Sequence, residues 1–158
     1  ITIRHLLTHS AGFPEDNPWG DQQLDASEEA FSAMMRSGIP FSTTPGTAYE
    51  YSNYGFAILG RVVRNVAGMP YAQYLRERIL LPLGMRHTYL ESSDVPAERL
   101  AYGYRWEDEQ WRLEPPLPDG AFGVMGGMLT TPADLARWVA FMLDAWPARD
   151  GADAGPLS

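Results

Sequence analysis

The residues best suited to chemistry stand together at Tyr51, Ser52 and Asn53. The apolar run that follows them, residues 56–66, predicts a helix, and Ser52 is expected to cap it by accepting an N–H of the first turn. Tyr51 and Asn53 would then lie at the mouth of that helix. A phenol that can carry a proton and a carboxamide that can donate and accept would suit acyl-transfer chemistry. A buried tyrosine beside a capping Ser/Asn pair is the other interpretation of these three residues alone.

Two flanking stretches extend the pattern on either side of this segment. Residues 1–14 read I-T-I-R-H-L-L-T-H-S-A-G-F-P, and residues 126–138 read G-G-M-L-T-T-P-A-D-L-A-R-W. In this order the three stretches resemble the serine β-lactamase-like family, which includes class C β-lactamases, related esterases, D-aminopeptidases and D-alanyl-D-alanine carboxypeptidases. Residues 51–53 are similar to that family's Y-x-N motif. The resemblance implies that Tyr51 assists proton transfer and that Asn53 helps to hold the substrate and the catalytic lysine.

The chain departs from that family in having no lysine, because all 12 of its basic residues are arginines. It therefore lacks the nucleophile motif S-x-x-K, in which a lysine one helical turn later activates the serine. It also lacks the K-T-G strand motif, and no histidine after His87 could form the H-x-G variant. The sequence is therefore interpreted as the middle piece of a longer enzyme.

The resemblance implies a function for that longer enzyme. Its serine would attack an ester, lactam or peptide carbonyl and form an acyl-enzyme, which water then cleaves. The expected partners are a small-molecule carboxylic ester, a β-lactam or a D-amino-acid peptide, together with the missing parts of the parent chain. No cofactor is expected. A tyrosine in water has a pKa of about 10 and needs a nearby cation to act as a base at neutral pH. Without the family's lysines, the isolated chain is predicted to be inactive.

Two other functions remain open from the sequence. The chain could be a non-catalytic helical binding or regulatory module derived from the same family. It could also be a metal hydrolase, since His5 and His9 stand four residues apart on one face of a predicted helix. However, Leu6 stands where the zincin pattern requires glutamate, so polar residues closing a helix end are the favoured interpretation and no metal site is predicted. Ser10 lies beside His9 but lacks the G-x-S-x-G context of a nucleophile.

Composition excludes several classes of protein. The length of 158 residues suits a single domain, which the fragment interpretation makes a partial one. A net charge of −8 argues against a nucleic-acid partner, which requires basic patches. No stretch approaches the 18 apolar residues of a transmembrane segment. The family is often periplasmic or secreted, but the sequence shows no signal peptide and leaves the localisation unknown.

The pattern of caps and apolar residues predicts a mainly helical chain. A hairpin of two short strands, 101–106 and 110–113, interrupts the helices, and residues 147–158 are expected to form a loop or a frayed end. The fold class is therefore a mainly α fragment of an α/β (α+β) β-lactamase-like fold. It comprises the helical part with a small β-hairpin, and the main antiparallel sheet is largely missing. Helices are predicted after Thr2 and Ser27, at 53–67 and 70–80, and from Thr131 to about 145.

Two finer predictions concern the central and last helices. Apolar side chains at helical spacing along residues 56–66, ending at Val66, indicate that most of the central helix is buried. In the last helix, Thr131 is the expected N-cap and Pro132 the first helical residue. Asp134 would then reach back towards Thr131 as in a capping box.

Overall fold

A computed structural model describes residues 1–16, 22–146 and 155–156. The hairpin pairs its two strands antiparallel, with Trp106 opposite Trp111. Outside it, Tyr89 and Leu129 form a single antiparallel bridge. The predicted architecture, mainly helical with one small hairpin, is confirmed. The elements are α1 (Ile3–Leu7), α2 (Glu28–Ser37), α3 (Asn53–Ala67), α4 (Tyr71–Leu75), a π-helical turn (Arg76–Leu80), β1 (Tyr104–Glu107), β2 (Gln110–Leu113), α5 (Pro132–Asp144), and short 3-10 turns at Ser92–Asp94, Ala97–Arg99 and Gly123–Met125.

The predicted loop or frayed end at 147–158 lies outside the described residues except for positions 155–156. Across the part of the chain that the structure describes, no helix is both long and apolar enough to cross a membrane.

The N-caps form as the sequence predicts. In each case a side-chain hydroxyl accepts a backbone N–H three residues later, which satisfies one of the unpaired donors of the first helical turn. At the other end of α3, Gly68 adopts the left-handed conformation, with φ of 68°, that commonly ends a helix. The capping pairs are Thr2 with His5 (3.2 Å), Ser27 with Ala30 (3.1 Å), Ser52 with Gly55 (3.1 Å) and Thr131 with Asp134 (3.2 Å).

The core is built around the first half of α3. Tyr54 and Phe31 meet edge to face with ring centroids 5.8 Å apart, and Phe31 meets Phe122 in the same manner at 5.4 Å. Such aromatic pairs add to the stabilisation that burial itself provides. The core therefore fixes the start of α3 against α2 and the segment before α5. Its buried members are Leu6, Ala11, Phe13, Phe31, Tyr54, Ala57 and Phe122.

The prediction that most of α3 is buried is wrong for its second half. The buried residues of the helix end at Gly60, and Val66 is 85% exposed. The apolar side of α5 is similarly uncovered by the described residues. Four of its apolar side chains are each about half exposed or more. Periodicity reports an apolar face, but it does not report which neighbour covers that face. The four exposed apolar side chains of α5 are Leu135, Val139, Met142 and Leu143.

Asp134 does not form the predicted capping box. Its backbone N–H donates to Thr131, but its fully buried carboxylate lies elsewhere. One carboxylate oxygen accepts the backbone N–H of His87 at 2.7 Å and the Thr88 hydroxyl at 3.0 Å, and the other pairs with Arg137 at 2.7 Å. The carboxylate thus joins α5 to the segment after α4. This tertiary network prevails over the local cap because it includes the hydroxyl of Thr88, which is fully buried and needs a partner within the protein.

Gly60 allows α3 to pack closely on the 3-10 turn that precedes α5. A Cβ at this position would lie 2.2 Å from Val124 Cγ2 and 3.2 Å from its Cβ. We expect Gly60→Ala to lower the free energy of unfolding by about 1–3 kcal/mol, because overpacking outweighs the better helix propensity of alanine. Urea denaturation followed by tryptophan fluorescence measures this change.

Gly55 provides the matched control for this prediction. It lies buried in the same helix, but its Cβ would meet only ordinary contacts at 3.7 Å. Gly55→Ala should therefore leave the stability unchanged or raise it slightly, since alanine favours the helix. Equal effects of the two substitutions would show that α3 and Val124 are not closely packed.

Candidate active site

The predicted site lies where the chain enters α3. Ser52 is the N-cap and Asn53 the first helical residue, and their exposed fractions are 3% and 6%. Tyr51 precedes them outside any helix or strand and is half-buried. The hydroxyl of Ser52 is therefore committed to the cap, where it accepts the N–H of Gly55. The structure places Tyr51 and Asn53 at the mouth of α3, as the sequence predicts.

Asp16 holds the first turn of α3 from outside the helix. Its carboxylate accepts the backbone N–H of Asn53 at 2.6 Å and that of Tyr54 at 2.8 Å, and its second oxygen lies 3.5 Å from the Ser52 hydroxyl. The N–H groups at a helix start carry a partial positive charge, so a carboxylate there is stabilising. Together with the Ser52 cap, Asp16 leaves the start of α3 few degrees of freedom.

His9 supports Tyr51 on the other side. The two rings are stacked, with centroids 4.5 Å apart and planes inclined by 28°. The opposite face of the imidazole lies against Phe56, at 4.9 Å and 25°. The Nδ1 atom of His9 accepts the backbone N–H of Ser52 at 3.1 Å. One imidazole therefore contacts both the Tyr51 ring and the backbone that leads into α3.

The protonation of His9 follows from these contacts. An Nδ1 that accepts a hydrogen bond carries no proton, so the neutral imidazole has its proton on Nε2. Burial lowers the pKa of His9 below its ordinary value of 6.5, and the negative charge of Asp16 acts in the opposite direction. The ring is therefore neutral at neutral pH.

Backbone hydrogen bonds join the segment around His9 to the segment before α3. The N–H of Glu50 donates to the His9 carbonyl at 2.8 Å, and the N–H of Asp16 donates to the Tyr51 carbonyl at 3.4 Å. Four residues before Glu50, the N–H of Gly46 donates to the Ser10 carbonyl at 2.8 Å. The two sides of the site thus form one connected unit, although they lie about 40 residues apart in sequence.

Comparison with known proteins shows a family match over nearly the whole chain. The family model described as Beta-lactamase matches residues 1–157. The chain belongs to the beta-lactamase family. Penicillin-binding protein 4* of Bacillus subtilis (strain 168) is 30% identical to it over 115 residues, which cover 68% of this chain and 26% of that protein.

Solved structures show the same relationship for this beta-lactamase-family chain. A D-amino acid amidase from Ochrobactrum anthropi SV3, complexed with L-phenylalanine, is 28% identical, with a TM-score of 0.65 over 91% of this chain and 42% of its own. A class C beta-lactamase has a TM-score of 0.72 over 91% of this chain and 38% of its own. At 24% identity, this second structure bears on the fold alone. The chain is thus a partial α+β fold of the β-lactamase type, and it spans well under half the length of these proteins.

The structure corrects one prediction about this region. His5 and His9 do not share a helix face, because α1 ends at Leu7 and His9 lies beyond it with a positive φ of 51°. Nδ1 of His9 is used for Ser52 and is not free to bind a metal. The described residues contain no group of three or more metal-ligating side chains.

Two residues of the site could not be assigned from the sequence. The sequence indicates that His9 is a polar residue at a helix end, and no motif distinguishes Asp16 from the other carboxylates of the chain. Their role depends on contacts with residues 51–54, about 40 positions away. The H-S-A-G-F-P stretch that carries the family resemblance contains His9, so it pointed to the right segment but not to the contact.

Proposed function

We propose that this chain supplies the Y-x-N part of the active site of a serine hydrolase. The enzyme would act on β-lactams, carboxylic esters or D-amino-acid peptides through an acyl-enzyme. The observation that carries the proposal is the fixed position of Tyr51 at the start of α3. Its ring is stacked on His9, and the Asp16 carboxylate accepts the backbone N–H of Asn53, two residues later. A proton carrier is effective only when it is held in position. The D-amino acid amidase among the similar structures supports a carbonyl substrate of this type.

The two predicted site residues have separate roles in this proposal. The serine oxygen bonds to the substrate carbonyl carbon, its proton passes by way of Tyr51 to the leaving group, and water then cleaves the acyl-enzyme. The carboxamide of Asn53 can donate to a substrate carbonyl and accept from an ammonium or amide N–H. Asn53 would therefore hold the substrate and the lysine. The serine and that lysine would come from other parts of the parent chain, since this chain has no lysine.

The first expected result concerns the chain as given. It should hydrolyse neither nitrocefin nor p-nitrophenyl esters, because Tyr51 has no S-x-x-K serine or lysine to work with. A fluorophosphonate probe should label none of its serines. Mass spectrometry of the labelled protein measures this, with an active class C β-lactamase treated in parallel as the positive control.

Ser10 is the serine whose labelling would bear most directly on the proposal. Its hydroxyl lies 2.9 Å from the Thr8 hydroxyl, which is not a base that could activate it. Stoichiometric labelling that is lost in Ser10→Ala would show a nucleophile within this chain and would overturn the proposal that the nucleophile lies elsewhere. A parent protein without an S-x-x-K serine would instead favour the non-catalytic binding module.

A further inference from the structure

The contacts of His9 go beyond what packing alone requires. Its ring covers one face of Tyr51, its Nδ1 accepts the N–H of Ser52, and its backbone carbonyl accepts the N–H of Glu50. These three contacts are made to three consecutive residues, 50–52. They fix both the backbone and the aromatic ring of the segment that carries the proposed proton carrier.

We propose that His9, in its neutral form with the proton on Nε2, is a positioning residue that sets the orientation of Tyr51. This inference rests on the proposed function of Tyr51, but the positioning itself is a property of this chain. His9 touches no reacting atom in the proposal, and it acts through the Ser52 backbone and the Tyr51 ring.

The neutral state is essential to this role. A proton on Nδ1 would place an N–H against the N–H of Ser52, so the hydrogen bond would be lost and two donors would face each other. It would also put a charge on a ring enclosed between Tyr51 and Phe56. Protonation therefore releases the contact that fixes the backbone at the helix entrance.

The groups facing the ring determine how strongly it resists protonation. Asp16 faces it from the following loop, and Tyr49 and Tyr51 face it from the segment before α3. The carboxylate of Glu50 is bound by the Ser42 hydroxyl, and α3 contributes an apolar ring. Burial outweighs the attraction of Asp16, so the pKa of His9 lies below 6.5.

The sign of the pH dependence follows. Because the pKa of His9 is lower in the folded chain than in the unfolded chain, its stabilising contribution is fully present above pH 6.5. The contribution is lost as the pH falls through the folded-state pKa. The orientation of Tyr51 should be lost over the same range of pH.

The test is an NMR titration of the chain as given. At pH 7.5, long-range ¹H–¹⁵N correlations should show His9 with Nδ1 unprotonated and Nε2 protonated. As the pH falls, the Ser52 amide and the Tyr51 ring resonances should move with the same midpoint as His9 Cε1–H, below pH 6.5. Amides of the hairpin strands, β1 and β2, serve as a reference for global unfolding and should not move with that midpoint.

Variants separate positioning from simple packing. His9→Asn keeps an acceptor near the place of Nδ1, and asparagine tolerates the positive φ of this position, so the Ser52 amide resonance should stay near its original position. His9→Ala should shift that resonance and abolish its acid transition. Asp16→Asn should move the His9 midpoint to lower pH, because the charge that raises it is gone. His87→Ala is the control, since this exposed histidine is bound to Arg99 and lies outside the site.

Two outcomes would overturn the inference. One is a His9 that carries its proton on Nδ1 at pH 7.5, and the other is a Ser52 amide that ignores the titration of His9. Neither depends on catalysis. If the titration behaves as expected while Tyr51→Phe leaves the turnover of the longer enzyme unchanged, the positioning stands and the proposed function fails.

Discussion

Asp134→Ala is expected to lower the free energy of unfolding by about 3–5 kcal/mol, because it removes two hydrogen bonds to a buried carboxylate, each worth about 1.5–3 kcal/mol. The substitution leaves the His87 N–H without its acceptor, and it leaves the fully buried Thr88 hydroxyl with the Thr130 hydroxyl as its remaining partner. It also leaves the Arg137 guanidinium without its carboxylate. For a chain of this size the melting temperature should fall by about 10 °C. Urea denaturation and differential scanning calorimetry measure the two quantities.

Three variants place this result in context. Asp94→Ala removes an exposed carboxylate and should change the stability by less than about 0.5 kcal/mol. Arg137→Gln removes the half-exposed partner but leaves the buried carboxylate its bonds to the His87 N–H and the Thr88 hydroxyl, so it should cost less than Asp134→Ala. Asp134→Asn keeps one acceptor and should lie between alanine and the native residue. If Asp134→Ala matched Asp94→Ala, the carboxylate would not join α5 to the segment after α4.

The features that sequence could predict are those decided within a few residues. Ser52 caps α3 because its hydroxyl and the N–H of Gly55 are three positions apart, and the same rule holds for Thr2 and Ser27. The stop at Gly68 follows from a glycine that tolerates positive φ. The same local rules predict that Tyr51 lies at the start of α3, directly before its N-cap residue.

The features that sequence could not predict depend on contacts between distant segments. Asp16 and Asp134 are both aspartates near polar or helix-starting residues. Asp16 accepts a backbone N–H of α3 from a loop, whereas Asp134 accepts hydrogen bonds from a segment 46–47 positions earlier in the sequence. Val66 matches the apolar period of α3 but is exposed, because periodicity does not reveal how far the core extends. The stacking of His9 on Tyr51 belongs to the same class, since its two rings meet only after the chain folds.

The largest effect on activity is expected from Tyr51→Phe in the proposed serine hydrolase. The substitution keeps the ring and its stacking on His9 but removes the hydroxyl. If that hydroxyl relays a proton, kcat should fall by about 10²- to 10⁴-fold, the usual contribution of general acid–base catalysis. The stability should change by no more than about 1 kcal/mol, the net value of one hydrogen bond. Steady-state kinetics and thermal melting of the same preparation measure both.

Tyr49 is the matched control for the loss of a hydroxyl. It lies two residues earlier, its ring meets His9 edge to face at 5.7 Å, and it is 68% exposed. Tyr49→Phe should therefore keep kcat near its original value. Asn53→Ala should raise KM, because it removes the carboxamide that we propose holds the substrate, while the backbone N–H still donates to Asp16. A tyrosine that only packs would behave differently: Tyr51→Phe would retain its turnover like Tyr49→Phe, and Tyr51 would no longer count as a catalytic residue.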